Sequence, residues 1–273
     1  MNKLIYLILV ISAIALCGCT SNAPSNQISI AGSTTMLPLI STVAEEYMIK
    51  NDVDIQISGG GSSIGIKSVG EGLSTLGMTS RDLKVEELEA YPYLIPIKVA
   101  TDGIAIIINP ENPIKSLSLS EIKDIYSGKI TTWEQLGGTG NITIIGRDSA
   151  SGTREFIYEY VMNKEDFTIN QIEKNSNNGV LISVAQTLGG IGYISIGYID
   201  KTIKPIMIET DSGLVSPSLS NVETGTYPLS RPLYIIENQK EIKTDEITNF
   251  INYFFSNESN ALITTEGFIP AIN

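Results

Sequence analysis

Three segments of the sequence place small hydroxyl residues and glycine where a strand pattern gives way to a helix pattern. They are residues 32–35, 61–63 and 149–153. The first backbone N–H groups of a helix have no partner within the helix, and about half a positive charge is concentrated there. Hydroxyl groups at such a start can donate to an anion, and glycine lets the anion approach the backbone. The segments therefore predict an anion site.

Serine and threonine are also frequent helix N-caps, so each segment could simply cap its own helix. Arg147 favours a ligand site, because it ends a predicted strand four residues before Ser151. From there a guanidinium can reach an anion at the helix start and contact it through two N–H groups. A surface or interdomain ion pair is the alternative for Arg147. We expect Arg81 and Asp82 to pair with each other.

The residue types also exclude several classes of function. The sequence contains no histidine, which excludes Ser-His-Asp and Cys-His catalysis and histidine metal sites. There is no Walker-type Gly-Lys-Ser/Thr motif and no clear acidic cluster, so no metal and no cofactor is expected. The net charge of −12 and the absence of a Lys/Arg run argue against nucleic-acid binding. An enzyme of phosphoryl or acyl transfer is thus disfavoured.

The N-terminal segment has the features of an export signal. Lys3 is followed by an apolar run over residues 4–16, which is shorter than the roughly 20 residues of a membrane span. The run ends in Leu-Cys-Gly-Cys, which resembles the lipobox of exported lipoproteins. We expect a signal peptide over residues 1–18, lipidation of Cys19 and a tether over 19–26. A plain signal peptide or an uncleaved anchor with incidental cysteines is the alternative.

Strand and helix patterns alternate along the rest of the chain, which predicts an α/β fold with largely parallel strands. Residues 94–108 are rich in strand formers, with Pro96 and Gly103 as expected breaks. Ser118 and Glu121 have the spacing of a capping box. The predicted helices cover residues 36–50, 64–69, 118–126, 153–162, 180–188 and 244–256. The other predicted strands cover residues 28–30, 53–58, 76–79, 142–145, 191–199 and 233–236.

Several stretches together carry a family resemblance over nearly all of the chain beyond the tether. They are AGSTTMLPL at 31–39, SGGGSSIGIKSV at 58–69, LGMTSRDL at 76–83, LSLSEIKDIYSGKITTWEQLGG at 117–138, RDSASGT at 147–153, GGIGYISIGYI at 189–199 and YPLSRPLYI at 227–235. In this order they resemble the phosphate-binding proteins of phosphate ABC transporters, which are type II solute-binding proteins.

The resemblance implies a two-lobed fold of mostly parallel sheets flanked by helices, with the ligand in the cleft. Lobe 1 would comprise residues 27–99 and 229–273, and lobe 2 residues 100–228. The implied protein is a monomeric receptor, not an enzyme, that captures inorganic phosphate outside the cytoplasmic membrane and delivers it to a permease. Only the lipid anchor would hold it to the membrane. The implied ligand contacts are Thr34, Thr35, Ser62, Ser80, Arg147, Ser151, Gly152 and Thr153.

Ser80 departs from the family pattern. In well-known members a carboxylate at this position accepts the proton of hydrogen phosphate and repels fully ionised sulfate. A hydroxyl can accept from phosphate but can also donate to sulfate. Asp82 and Asp148 are the candidates for a replacement acceptor. Sulfate, molybdate and tungstate therefore remain alternative ligands, and a surface sensor or adhesion protein on the same fold remains an alternative function.

Overall fold

The computed structural model describes residues 26–271. The predicted signal peptide, Cys19 and all but the last residue of the predicted tether lie outside the described residues. Within the described part, no helix is both long and apolar enough to cross a membrane.

The strands form two sheets. They are β1 (Gln27–Gly32), β2 (Asp54–Gly59), β3 (Leu76–Thr79), β4 (Leu94–Ile108), β5 (Ser116–Ser118), β6 (Thr143–Arg147), β7 (Ile172–Lys174), β8 (Gly190–Ser195), β9 (Lys204–Pro205), β10 (Met207–Thr210), β11 (Gly213–Val215), β12 (Ser230–Asn238) and β13 (Ile269–Pro270). Most of them form one ten-stranded sheet, in the order β2-β1-β3-β12-β4-β8-β6-β7, with β9 and β13 also paired to β4. Parallel pairing holds at both ends of this sheet, as predicted, whereas β4 and β12 run antiparallel to their neighbours at its centre. The second sheet has the order β11-β10-β5.

Helices flank the sheets, and several have side-chain caps at their first turn. Ser118 accepts from the Glu121 N–H at 3.2 Å, and the Glu121 carboxylate accepts from the Ser118 N–H at 2.8 Å, so the predicted capping box is present. The helices are α1 (Leu37–Lys50), α2 (Ser62–Gly70), α3 (Val85–Ala90), α4 (Leu119–Tyr126), α5 (Gly152–Tyr160), α6 (Asn177–Ala185), α7 (Leu219–Glu223), α8 (Asp245–Tyr253) and α9 (Asn257–Thr265), with short 3-10 helices at Trp133–Leu136 and Ile196–Tyr198.

The breaks predicted at Pro96 and Gly103 are wrong, because β4 is continuous from Leu94 to Ile108. At Pro96 the strand is paired only with β12, so the missing proline N–H falls on an unpaired side. A Cβ at Gly103 would lie 2.7 Å from the Val222 side chain, so glycine allows close packing there without ending the strand.

The buried apolar side chains form two large clusters and a small third one. One large cluster draws on residues between 104 and 229, and the other on residues 28–100 and 233–268. Along β4, the buried side chains pass from one large cluster to the other between Ala100 and Ile104. Near the start of β12 they pass back again, between Leu229 and Leu233. The exact lobe boundaries remain a prediction, but β4 and β12 are the strands that pass from one cluster to the other.

Candidate anion-binding site

The first helix start lies at the end of β1. Gly32 has a φ of 139°, and a Cβ there would overlap the Met78 carbonyl and lie 2.9 Å from the Gly65 Cα. Glycine therefore lets the end of β1 pack directly on β3 and α2. As a result Ser33 lies against Ser80, and its hydroxyl donates to the Ser80 hydroxyl at 2.9 Å.

The second and third helix starts face each other. Gly61 has a φ of 105°, and a Cβ there would lie 2.5 Å from the Ala150 carbonyl oxygen. The Ser63 N–H donates to that same oxygen at 3.2 Å. On the opposite side, a Cβ at Gly152 would overlap the Ser62 hydroxyl and lie 2.8 Å from that of Ser80. These contacts place the starts of α2 and α5 against one another.

Serine hydroxyls line this junction. Ser62 Oγ accepts from the Ser80 N–H at 3.1 Å and lies 3.4 Å from Ser80 Oγ. Ser151 caps α5, since its Oγ accepts from the Arg154 N–H at 3.2 Å. Capping uses only a lone pair of Ser151, so its proton remains available to a ligand. Ser151 can therefore cap α5 and donate to a ligand at the same time.

Arg147 is buried at the end of β6, with a side-chain edge left free. Its Nε donates to the Lys174 carbonyl at 3.1 Å, and Nη2 donates to Thr34 Oγ1 at 3.1 Å and to the Asn175 carbonyl at 3.3 Å. Nη1 is buried and has no partner among residues 26–271. Burial lowers the pKa of the guanidinium. An anion would supply the missing partner, and Nη1 is the edge that the protein leaves for it.

The predicted contact residues therefore come together. Thr34 bonds to Arg147, Thr35 Oγ1 lies 3.3 Å from Thr153 Oγ1, and Gly152 packs on Ser62 and Ser80. All of the predicted contact residues are buried, and Thr34 is the most exposed of their polar side chains at 7%. An anion can enter only if the surrounding chain segments move apart.

Two fully buried polar side chains of the site were not predicted. Asn177, the first residue of α6, donates through Nδ2 to Thr34 Oγ1 at 3.4 Å and to Thr35 Oγ1 at 3.2 Å. Arg231 in β12 donates through Nη1 to Thr153 Oγ1 at 3.0 Å and through Nη2 to Thr35 Oγ1 at 3.1 Å. Asn177 follows Ser176, which caps a fourth helix start, and this pattern could have identified it.

Arg231 is paired with a buried carboxylate. Its Nε and Nη2 donate to Asp102 Oδ2 at 3.0 and 2.8 Å, and Ser195 Oγ donates to Asp102 Oδ1 at 2.6 Å. Burial raises the pKa of Asp102, while the charge of Arg231 and these hydrogen bonds act in the opposite direction. Both oxygens of Asp102 are thus occupied by protein donors.

The candidate acceptors near Ser80 differ in their surroundings. Asp82 is exposed and accepts from the Tyr234 hydroxyl at 2.8 Å, so it is engaged away from the hydroxyl cluster. Arg81 does not pair with the Asp82 carboxylate; it forms a bidentate pair with Glu87 at 2.7 and 2.8 Å. Asp148 Oδ1 is buried without a hydrogen-bond partner in the described part of the chain.

Both the sequence and the fold of this chain are similar to those of known proteins. A family model described as a PBP superfamily domain matches residues 19–258. The phosphate-binding protein PstS of Pseudomonas aeruginosa is 34% identical over 271 residues, covering 90% of this chain and 83% of the relative. PstS of Bacillus subtilis is 34% identical over 252 residues, covering 90% and 81%.

Solved structures give the same result. A putative phosphate ABC transporter substrate-binding protein with bound phosphate from Clostridium perfringens has a TM-score of 0.85 and 36% identity, covering 90% of this chain and 100% of that one. An ABC-type phosphate transport receptor from Vibrio cholerae has a TM-score of 0.74 and 30% identity, with the same coverage. The predicted fold class is confirmed. The chain belongs to the PBP superfamily, in the family of phosphate-binding proteins of ABC transporters.

Proposed function

We propose that the protein is an extracytoplasmic receptor that binds inorganic phosphate and delivers it to the permease of an ABC transporter. The observation that carries the proposal is the buried Nη1 of Arg147, which has no partner among residues 26–271 and belongs to the guanidinium that donates to the Thr34 hydroxyl. A tetrahedral oxyanion has the charge and the acceptor atoms to satisfy both. The relatives named for phosphate binding favour phosphate among such anions.

The proposed ligand contacts are those predicted from the sequence: Thr34, Thr35, Ser62, Ser80, Arg147, Ser151, Gly152 and Thr153. Their burial and mutual contacts support this assignment. Gly152 contributes backbone at a helix start, where its missing Cβ keeps the space beside Ser62 open. The chemistry is reversible binding, with no bond made or broken in the ligand.

The acidic net charge is compatible with an anion as ligand. Charges on the surface are screened over about 8 Å at physiological salt. Inside the site, hydrogen bonds to a charged group contribute about 1.5–3 kcal/mol each. Several such donors outweigh diffuse repulsion, so the charge of −12 should slow capture more than it weakens binding.

We further propose that Cys19 is lipidated and that the lipid anchor alone attaches a monomeric receptor to the outer face of the cytoplasmic membrane. The apolar run before Leu-Cys-Gly-Cys supports this. Expression with a radiolabelled fatty acid should label the wild type but not Cys19→Ala, with Cys17→Ala as the matched control. Label on Cys19→Ala would contradict the assignment.

The ligand is tested by titration calorimetry. The purified protein, stripped of ligand, is titrated with phosphate, sulfate, molybdate and tungstate at several pH values. We expect phosphate to bind most tightly. Sulfate binding as tight as phosphate would overturn the phosphate assignment and leave a general oxyanion receptor.

A further inference from the structure

We propose that Asn177 and Arg231 are positioning residues that fix the hydroxyl protons of Thr34 and Thr35. Thr34 then donates directly to the bound anion, and Thr35 donates to Thr153, whose own proton is left for the anion. The inference rests on the proposed function, because it describes how the same site recognises phosphate. Asn177 and Arg231 lie behind the ligand contacts and act on the anion only through the hydroxyl groups that they orient.

The first step is the orientation of the Asn177 amide. The Ser195 backbone N–H donates to Asn177 Oδ1 at 3.1 Å. Ser195 is itself held by its hydroxyl, which donates to Asp102 at 2.6 Å. Since Oδ1 must face this donor, Nδ2 must face the two threonines. Its two protons then serve Thr34 and Thr35 separately.

The second step concerns Thr35. A hydroxyl has two lone pairs and one proton. Thr35 Oγ1 accepts from Asn177 Nδ2 at 3.2 Å and from Arg231 Nη2 at 3.1 Å, so both lone pairs are used. Its proton is therefore donated to its hydroxyl neighbour, Thr153 Oγ1, at 3.3 Å. Thr153 Oγ1 also accepts from Arg231 Nη1 at 3.0 Å, so both of its lone pairs are used and its own proton is left for the anion.

The third step concerns Thr34. Its Oγ1 accepts from Arg147 Nη2 at 3.1 Å and from Asn177 Nδ2 at 3.4 Å. Within residues 26–271, no acceptor faces the proton that remains. Thr34 thus carries a buried, forced donor next to the free Nη1 edge of Arg147, which is where an anion would complete the hydrogen bonding.

Arg231 can serve in this role because its charge is compensated. It lies directly opposite Asp102 across the β12–β4 ladder, and both side chains are fully buried. The Asp102 carboxylate takes two of its N–H groups, which leaves the outer edge for Thr35 and Thr153. The pair therefore orients hydroxyl groups without adding a net charge to the site.

Asn177→Asp tests the proposal, because it keeps the shape and the acceptor for Ser195. The second carboxylate oxygen would accept from Thr34 and Thr35 instead of donating. The Thr34 proton would then turn away from the ligand, and the Thr35 proton would turn away from Thr153. We expect phosphate affinity to fall at least 100-fold at neutral pH. Protonation of the new carboxyl in acid restores a donor, so the ratio of variant to wild-type affinity should recover at least tenfold as the pH falls. A structural role alone would not produce this recovery.

The matched control is Asn178→Asp, which adds the same charge at the next, exposed position of α6. Calorimetry on the full-length protein in detergent should show phosphate affinity within threefold of wild type. An Asn178→Asp loss as large as that of Asn177→Asp would assign the effect to charge and overturn the proposal. So would an Asn177→Asp affinity within threefold of wild type, or a ratio that does not change with pH.

A second pair of variants applies even if Asn177→Asp fails to fold. Thr34→Val keeps the shape but removes the hydroxyl, and it should lose at least tenfold in phosphate affinity. Thr34→Ser keeps the hydroxyl and should bind phosphate at least tenfold more tightly than Thr34→Val. Equal binding by both would overturn the proposal. A wild type that binds no phosphate at all would instead refute the proposed function itself.

Discussion

At the scale of single residues, the site depends on which polar atoms the protein leaves unpaired. Most N–H groups of Arg147 are used to fix the guanidinium against β7 and Thr34, and only Nη1 lacks a partner in the described residues. A buried cationic group without a full set of partners is costly to the folded protein. The ligand therefore completes a hydrogen-bond set that folding leaves open.

Arg147 should consequently matter far more than surface charge. We expect Arg147→Ala to reduce phosphate affinity at least 100-fold and Arg147→Lys at least tenfold, because lysine lacks the planar fork that reaches Lys174, Thr34 and the ligand together. Titration calorimetry measures both. Asp211→Asn, which removes an exposed carboxylate, is the control and should bind as wild type. Wild-type affinity in Arg147→Ala would refute the site.

Asp148 is the residue on which selectivity against sulfate should depend. Asp148 directly follows Arg147, and its Oδ1 is buried without a hydrogen-bond partner among residues 26–271, whereas Ser80 is a hydroxyl and both Asp102 oxygens accept from protein donors. If Oδ1 accepts the phosphate proton, Asp148→Asn should lower the ratio of phosphate to sulfate affinity at least tenfold. Competition titrations measure that ratio. An unchanged ratio would exclude Asp148 as the acceptor, and Asp82→Asn serves as the exposed control.

At the scale of elements, the site is a meeting of helix starts, and glycines set their distances. Gly152 permits α5 to touch the hydroxyls of α2 and of the loop after β3. Local sequence predicted these starts well, because capping and glycine conformations depend on neighbouring residues. The observed α2 and α6 begin earlier than predicted, at Ser62 and Asn177, since their first turns are polar and carry little apolar periodicity.

The helix start at Ser176 could have identified Asn177 as a candidate, but the hydrogen-bonding roles of Asn177 and Arg231 could not be predicted from local sequence. The role of Arg231 depends on β12 pairing with β4, which places it opposite Asp102. The role of Asn177 depends on Ser195 at the end of β8. Both relations join positions that are distant in the chain, and neither leaves a spacing in the sequence. The breaks predicted at Pro96 and Gly103 were wrong for the same reason. Whether a proline or glycine ends a strand depends on which strands pair with it and on which side chains pack against it.

Gly152→Ala tests the packing of the helix starts. The added Cβ would overlap Ser62 Oγ, so Ser62 or α5 must shift. We expect phosphate affinity to fall at least tenfold, although alanine is the better helix former by about 1 kcal/mol. Gly179→Ala in α6, where the Cβ would meet nothing closer than 3.2 Å, is the matched control and should keep affinity. Calorimetry should separate the two; equal affinities would contradict the packing argument.

At the scale of the whole molecule, the site closes by contacts between the two large clusters. Thr34 follows β1, whose side chains belong to one cluster. Arg147 ends β6 and Tyr198 follows β8, and the side chains of these two strands belong to the other cluster. The Tyr198 hydroxyl donates to the Thr34 carbonyl at 2.6 Å, and Lys84 pairs with Glu155 at 2.7 Å. Burial of the contact residues means that ligand exchange requires these contacts to open. Affinity then includes the free energy of closing.

Tyr198→Phe should reveal the free energy of closing, because the Tyr198 hydroxyl donates to the protein and not to the ligand. Its loss leaves a buried carbonyl without this donor in the closed form only, at a cost of about 1–3 kcal/mol. Phosphate affinity should fall by about tenfold, through faster dissociation.

Thermal unfolding without ligand should change little if the ligand-free protein is open, since the contact is then already broken. Tyr160→Phe, at an exposed tyrosine, controls for the substitution. An unchanged dissociation rate in Tyr198→Phe, measured by stopped-flow displacement of phosphate, would show that closing does not contribute to holding the anion.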